Sequence, residues 1–347
     1  MRLFSLLFAL LSTFVALPIP AQDEPVRYEA SHDAMGTVFT IVAYGRDAKY
    51  LGEVANEIFE EIDRLDAQMS NYKAESEVSA LNRQAARRPV IIEPALSALF
   101  EDSLRYSRET EGAFDITVGP LMEVWGFFRG QGRVPTLAEL ARVIERVGYR
   151  HVRLDSGRRE VRFDREGVEL DLGGIAKGYA VDRAVEILRK NGVTAALVSS
   201  GTSSLYALGA PPGERGWKIN LRDPLEAGKV GDVVWLKDYS LSASGNYEKS
   251  FTLQGRTYAH IMDPRTGRPV ENMLATAVLA RRTTESDALS TAFFVLGPRG
   301  SRRYLATHSD LAVIFYQPGR AKRTFRRVMR RSTSFHVPAG SLAEIGP

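Results

Sequence analysis

The sequence predicts an α+β fold, with mixed, largely antiparallel sheets and interspersed helices. Short β-rich runs arrive in groups between isolated amphipathic helices instead of alternating with them one for one. Closely spaced turn signals divide those runs, above all between Trp217 and Ala280. A length of 347 residues, 44% of them apolar and 25% charged, suits one large folded domain or two lobes.

Residues 38–44 read as a strand. Leu51, Val54, Ala55, Ile58, Ile62 and Leu65 then recur at three and four, the spacing of one helix face. Pro94 opens a second helix carrying Leu96, Leu99 and Phe100. Thr136-Leu137-Ala138-Glu139 is a capping box, and Gly148 stands where the helix behind it should stop. Strand-like runs follow at 152–154, 160–163 and 168–171, then a helix over about 176–190 closed by Asn191-Gly192, then a strand at 195–199. Residues 233–236, 241–244, 258–261 and 275–279 are also extended in pattern. A helix over 285–296, with Gly297 behind it, precedes a last strand at 311–316.

The ends differ from this body. Met1-Arg2, an apolar run over 3–17 and the small Ala21 before Gln22-Asp23-Glu24 have the form of a secretory signal peptide over residues 1–21. An uncleaved signal anchor is the alternative, although the run is shorter than the roughly 20 residues a spanning helix needs. Either reading places the body outside the inner membrane, in the periplasm. Residues 22–34 form an N-terminal extension, 35–316 the domain and 317–347 a basic tail. In the tail, Arg323, Arg326, Arg327, Arg330 and Arg331 recur at helical spacing, as a solvated helix or one lying on anionic lipid or an acidic partner.

Composition removes several chemistries. With no Cys there is no disulfide, thiolate metal site, thiol nucleophile or lipid-modified N-terminal cysteine. The net charge of +4 is local, since residues 317–331 hold seven Lys/Arg and no acid. The remaining body is mildly acidic, which argues against a nucleic-acid binder.

Three loop-rich segments carry candidate chemistry. Asp171-Leu172-Gly173-Gly174-Ile175-Ala176-Lys177-Gly178 joins a strand to a helix, where paired glycines and a helix start suit an anion and Lys177 adds charge. A tight turn with no ligand has the same composition, and the glycine spacing fits neither a Walker loop nor a dinucleotide fingerprint. Asp287 and Thr291 share one helix face and offer hard oxygen donors to a cation such as Mg²⁺. Equally, Thr284 reads as the cap of that helix with Asp287 answering it. His260 ends a strand before the turn Asp263-Pro264-Arg265-Thr266-Gly267, as a general base or as a packing residue.

Ser70-Asn71-Tyr72-Lys73, Ser244-Gly245-Asn246 and Arg265-Thr266-Gly267 follow the order of the motifs of penicillin-binding enzymes. The layout fails, because Ser70 follows a helix and only 21 positions separate Ser244 from Arg265.

Eight motifs in order give a resemblance over nearly the whole body. They are Met35-Gly36-Thr37; Met69 to Tyr72 with Ser76 to Asn82; Gly112-Ala113-Phe114-Asp115 through Leu121; Trp125-Gly126-Phe127; Asp171 to Gly178; Leu241 to Tyr247; His260 to Gly267; and Asp287 to Thr291. The chain resembles the ApbE family of FAD:protein FMN transferases. The resemblance implies two lobes around an FAD cleft, with FAD as substrate contacted by Met35, Tyr72, Ala113, Phe114, Asp115, Asp171, Lys177 and Ile261. It implies Mg²⁺ held by Asp287, Thr291 and the carbonyl around Gly174, with Ser290 at a position that is Asp in some relatives. It further implies that FMN passes to a Ser or Thr hydroxyl while AMP leaves; for that chemistry His260 is the candidate to take the proton, with Asp263 orienting it. Acceptors in such a family include flavoprotein subunits of membrane electron-transport complexes and other exported proteins, which a basic tail could approach at the membrane. FAD hydrolysis and non-catalytic FAD carriage are the rival functions. One departure stands out: Ser199-Ser200-Gly201-Thr202-Ser203-Ser204 replaces the family's Gly-Gly pair and following Asn or Asp.

Overall fold

The computed structural model describes residues 24–128, 130–319, 325–330 and 343–344. Residues 1–21, with their signal-peptide reading, lie outside the described residues, as do Arg323 and Arg331.

Strand β1 (Val26–Ala34) folds back on β2 (Thr37–Gly45) through Met35 and Gly36, whose φ angles are 49° and 70°. Two left-handed central residues match the twist of a two-residue hairpin. Helix α1 (Ala48–Met69) starts at Asp47, whose side chain accepts the Lys49 N–H, and it buries the whole predicted stripe together with Met69. Ser76 caps α2 (Glu77–Gln84) in the same way. β3 (Val90–Ile91) is followed by α3 (Pro94–Glu109), α4 (Gly119–Val124) and α5 (Leu137–Ile144), the last with both arms of its Thr136–Glu139 capping box formed. β4 (Val152–Asp155) and β5 (Glu160–Phe163) join β3 in a small sheet ordered β3-β5-β4.

Residues 168–171 belong to no ladder, contrary to their strand-like pattern. Asn82 takes the place of a neighbouring strand: its amide donates to the Leu170 carbonyl at 3.2 Å and accepts the Leu170 N–H at 2.8 Å. A carboxamide carries both a donor and an acceptor, so it can stand in for one rung of a sheet.

Helix α6 (Ala176–Lys190) leads into β6 (Ala195–Ser200), β7 (Ser204–Leu208) and the hairpin of β8 (Trp217–Arg222) with β9 (Val230–Leu236). After β10 (Tyr239–Gly245) come two short hairpins, β11 (Ser250–Leu253) with β12 (Arg256–Ala259) and β13 (Met262–Asp263) with β14 (Arg268–Pro269). β15 (Ala275–Ala280), α7 (Thr283–Gly300), α8 (Arg302–Thr307), β16 (Ala312–Pro318), β17 (Phe325–Arg330) and β18 (Ala343–Glu344) complete the described chain.

Nine strands form the main sheet in the order β1-β2-β6-β7-β10-β15-β16-β17-β18, antiparallel throughout except between β17 and β18. Alternation gives its two faces different partners. Phe39, Ile41, Val198, Tyr206, Val278, Val313 and Phe315 share one core with the buried residues of α1, α6 and α7. On the other face Ala207, Leu241, Ala277, Leu279 and Ile314 pack with Trp217, Ile219, Leu221, Val234 and Leu236 of the β8–β9 hairpin. A third, small core joins Leu121, Val124 and Trp125 to Leu140 and Met262.

The tail departs from its predicted helix. Phe325–Arg330 is strand β17, in register with β16 from Val313↔Arg330 to Pro318↔Phe325. β16 is buried over most of its length, and without a neighbour its outer edge would leave a row of unpaired backbone groups. That requirement outweighs the three-and-four spacing of the arginines.

Candidate active site

The segment 171–178 is stitched to itself and to α7. Asp171 Oδ1 accepts the Gly173 N–H at 2.8 Å, and Lys177 Nζ donates to the Gly173 carbonyl at 2.9 Å, so the ammonium folds back over the glycine turn. Asp287 Oδ2 accepts the Gly178 N–H at 2.8 Å. Gly174 lies beside Thr291, close enough that a Cβ on it would be 3.3 Å from Thr291 Oγ1 and 3.4 Å from the Phe114 ring.

Asp287 is only 4% exposed and has no ion-pair partner in contact among the described residues. Burial pushes its carboxyl pKa up, opposed chiefly by the charge of Lys177, then by the Gly178 N–H and the Ser204 hydroxyl. A buried carboxylate with only distant compensation is where a cation gains most. Asp287, the Thr291 hydroxyl and the backbone at Gly174 supply hard oxygen donors, a set that fits Mg²⁺. No group of three His, Cys, Asp or Glu gathers among the described residues, so such a cation would complete its shell with water or phosphate oxygens.

His260 follows β12, and its Nδ1 lies 3.0 Å from the Lys249 carbonyl oxygen, which also accepts the His260 N–H. A carbonyl can only accept, so Nδ1 carries the proton and Nε2 keeps its lone pair. The ring retains a partly open edge but is enclosed by protein, and that desolvation lowers its pKa to about 4. The Lys249 bond works against the fall, while the charges of Lys249 and Lys177 add to it. The imidazole is therefore neutral near pH 7. Asp263 does not orient it. That carboxylate is gripped by Arg265 through Nε at 2.8 Å and Nη2 at 2.9 Å, and it also accepts the Arg265 N–H. The turn geometry commits Asp263 to its own loop.

The remaining predicted contacts fall into two groups. Tyr72 is 59% exposed, stacks on Phe128 with centroids 4.3 Å apart and planes 8° from parallel, and lies within the field of Asp171. Phe114 and Ile261 are buried in the main core, Met35 packs at its margin, and Ala113 is buried. Asp115 is turned inward: Thr117 N–H and hydroxyl bond one oxygen at 2.8 and 2.7 Å, and the Tyr149 N–H bonds the other. Burial raises its pKa against the pull of these bonds. Asp115 thus fixes the 112–117 turn from inside.

Ser290 is completely buried, and its hydroxyl bonds the Asp287 carbonyl at 2.9 Å and Ser244 at 2.8 Å. It faces the sheet, which corrects its expected place among the ligands. Thr284 does not cap α7 either. Asp182 of α6 does so from the side, accepting the Thr283 and Thr284 N–H groups at 2.7 and 2.9 Å and the Thr284 hydroxyl at 2.6 Å. Asp182, Ser204 and Phe128 carried no motif signal, although Ser204 belongs to the segment that departs from the family pattern.

Together, the fold and the site define an enzyme of the transferase class. The chain belongs to the ApbE family, whose model matches residues 35–315. It is 31% identical to the FAD:protein FMN transferase of Treponema pallidum (strain Nichols) over 320 residues, 88% of each chain. To that of Escherichia coli (strain K12) it is 30% identical over 274 residues, 77% of this chain and 78% of the other. Among solved structures, the ApbE protein of Thermotoga maritima superposes with a TM-score of 0.80 at 30% identity, covering 89% of this chain and 98% of that one. The apo flavinyl transferase ApbE of Pseudomonas stutzeri gives 0.78 at 29% identity, covering 89% and 96%. The α+β, mainly antiparallel architecture expected from the sequence is the one these relatives share.

Proposed function

We propose that the protein transfers FMN from FAD to a Ser or Thr hydroxyl of exported proteins, with Mg²⁺ bound at Asp287, Thr291 and the Gly174 backbone. The observation that carries this reading is the meeting of a buried carboxylate with a lysine-bearing glycine turn, with a neutral histidine in the field of that lysine. Bound there, Mg²⁺ would neutralise charge on the phosphate oxygens. Lys177 and the 173–178 turn hold the pyrophosphate, Tyr72 bounds the nucleotide, and the site aligns the acceptor with the riboflavin-side phosphorus. The acceptor oxygen forms the new P–O bond as the bond to the AMP phosphate breaks. The hydroxyl proton passes to His260 Nε2, and AMP departs as the free monophosphate.

Residues 1–21 support export, and the acceptors we infer are periplasmic proteins, flavoprotein subunits of membrane electron-transport complexes among them. The test incubates purified protein with FAD, Mg²⁺ and candidate acceptors and reads intact mass. An acceptor heavier by one FMN unit, with AMP released, is the expected result. Free FMN and AMP without an adduct would identify a hydrolase, and unchanged FAD a carrier.

A further inference from the structure

We propose that Ser244 and Ser290 are positioning residues that orient the Thr291 hydroxyl, turning its lone pairs toward the cation position it shares with Asp287. The proposal rests on the reading of that position given above. Its basis is a directed chain of hydroxyls. Ser290 Oγ lies 2.9 Å from the Asp287 carbonyl oxygen, and a carbonyl cannot donate, so Ser290 is the donor there. Its single proton is thereby used. The 2.8 Å contact between Ser244 Oγ and Ser290 Oγ then requires Ser244 to donate. Ser244 in turn has only acceptor capacity left for Thr291 Oγ1, at 3.4 Å. Direction thus propagates from Thr291 to Ser244 to Ser290 to the backbone of Asp287.

The chain matters because a hydroxyl that binds a cation does so through its oxygen lone pairs and needs somewhere else to put its proton. A helical threonine ordinarily gives that proton to the carbonyl four residues back. Here that carbonyl is the one of Asp287, whose two lone pairs face the helical N–H of Thr291 and the Ser290 hydroxyl. Ser244 therefore provides the acceptor. Ser244 is 8% exposed and Ser290 fully buried, so water does not readily replace either hydroxyl. The neighbouring hydroxyls of β10 serve a different end. Ser240 donates toward the Ala280 and Arg282 carbonyls, and Ser242 bonds Ser286, which tie β10 to the start of α7 and do not contact Thr291.

The test measures Mn²⁺ binding to purified full-length protein by the loss of the free-ion electron paramagnetic resonance signal, with a melting curve for each variant. Ser244→Ala and Ser290→Ala should each raise the Mn²⁺ Kd about 3- to 10-fold. The double variant should lose little more than either single, because both cut one chain. Ser244→Thr, which keeps a hydroxyl, should bind within about 2-fold of the native protein. Loss in Ser290→Ala alone, with native affinity in Ser244→Ala, would make Ser290 a direct ligand and overturn the proposal, as would native affinity in both. If Ser244→Ala does not fold, Ser244→Val, compared with the isosteric Ser244→Thr, takes its place by the same readout. Asp287→Ala separates the two levels: Mn²⁺ binding that survives it removes the cation site itself, whereas binding that disappears leaves only the hydroxyl chain on trial.

Discussion

A Cβ placed on Gly178 would stand 2.6 Å from Asp287 Cβ and 2.4 Å from the Thr283 carbonyl oxygen. α6 and α7 touch at that point through backbone, and the same contact lets the Gly178 N–H hold the Asp287 carboxylate. Neither neighbour is a flexible side-chain tip, so any side chain there separates the helices. Gly178→Ala should destabilise the fold by about 1–3 kcal/mol. Metal-dependent turnover should fall further than the folded fraction, because Asp287 moves relative to Gly174 and Lys177. Denaturant unfolding and Mg²⁺ titration of activity read the two effects; native turnover in a measurably destabilised variant would uncouple the crossing from catalysis.

His260 makes a prediction about pH. Its pKa of about 4 lies below the ordinary histidine value, so the lone pair on Nε2 is present across the neutral range. Activity should rise with pH around 4 and then run level to 8 with respect to this group. Stability should move the same way. Between about pH 4 and 6.5 the unfolded chain binds a proton that the folded ring refuses, so this residue weakens the fold as pH falls through that window. His260→Ala should reduce turnover by about 10²- to 10⁴-fold while removing that acid-side loss of stability. A rate profile with its acid limb near 6.5 would contradict the enclosed, neutral ring.

What could be read from sequence follows the range of the forces involved. The α1 stripe and the Thr136–Glu139 box are local, and both appear as expected. Asp287 and Thr291 were legible as one helix face because a turn of helix is a local fact. Asp182 was not, since it caps α7 from 101 positions earlier in the chain and follows none of the spacing that marks an ordinary cap. Arg326, Arg327 and Arg330 sit at helical intervals, yet the open edge of β16 draws their segment into the sheet. Residues 168–171 have strand composition, but Leu170 pairs with a side chain, Asn82, while Glu169 and Asp171 bond the backbone of Gly119 and Ile116, which no alternation pattern reveals. Motif resemblance pointed to Asp171, Lys177, Asp287 and Thr291, which the fold brings near one another; it did not show that Ser290 and Asp263 are committed to neighbours.

The near-parallel stack of Tyr72 on Phe128 leaves one tyrosine face against the ring that follows Trp125-Gly126-Phe127. Such a pair is worth about 0.5–1.5 kcal/mol beyond its buried area. If both rings bound the nucleotide, Tyr72→Ala and Phe128→Ala should each weaken FAD binding by about 3- to 10-fold, while Tyr72→Phe should retain it. Quenching of flavin fluorescence on titration measures this. Wild-type affinity in Tyr72→Ala would remove that residue from the flavin site and leave the stack a surface contact.

Asp287 gives opposite predictions with and without metal. In the metal-free protein its charge is buried, the cation acting on it most strongly is Lys177, and desolvation works against it. Asp287→Asn keeps the shape and an acceptor for the Gly178 N–H but removes the charge. The metal-free variant should therefore melt no lower than the native protein, because burial is the largest influence on this carboxylate. On the proposed site, Mg²⁺ should reverse the order. Near 100 times its Kd, a cation that binds only the folded state adds about 2.7 kcal/mol, a gain the variant should lack because its neutral amide is a far weaker ligand. Thermal melts at increasing Mg²⁺ should thus cross, the native curve climbing past a variant that stays still. Parallel shifts in the two proteins would place the cation elsewhere, and a large metal-free loss in Asp287→Asn would mean that the carboxylate holds the helices together by itself.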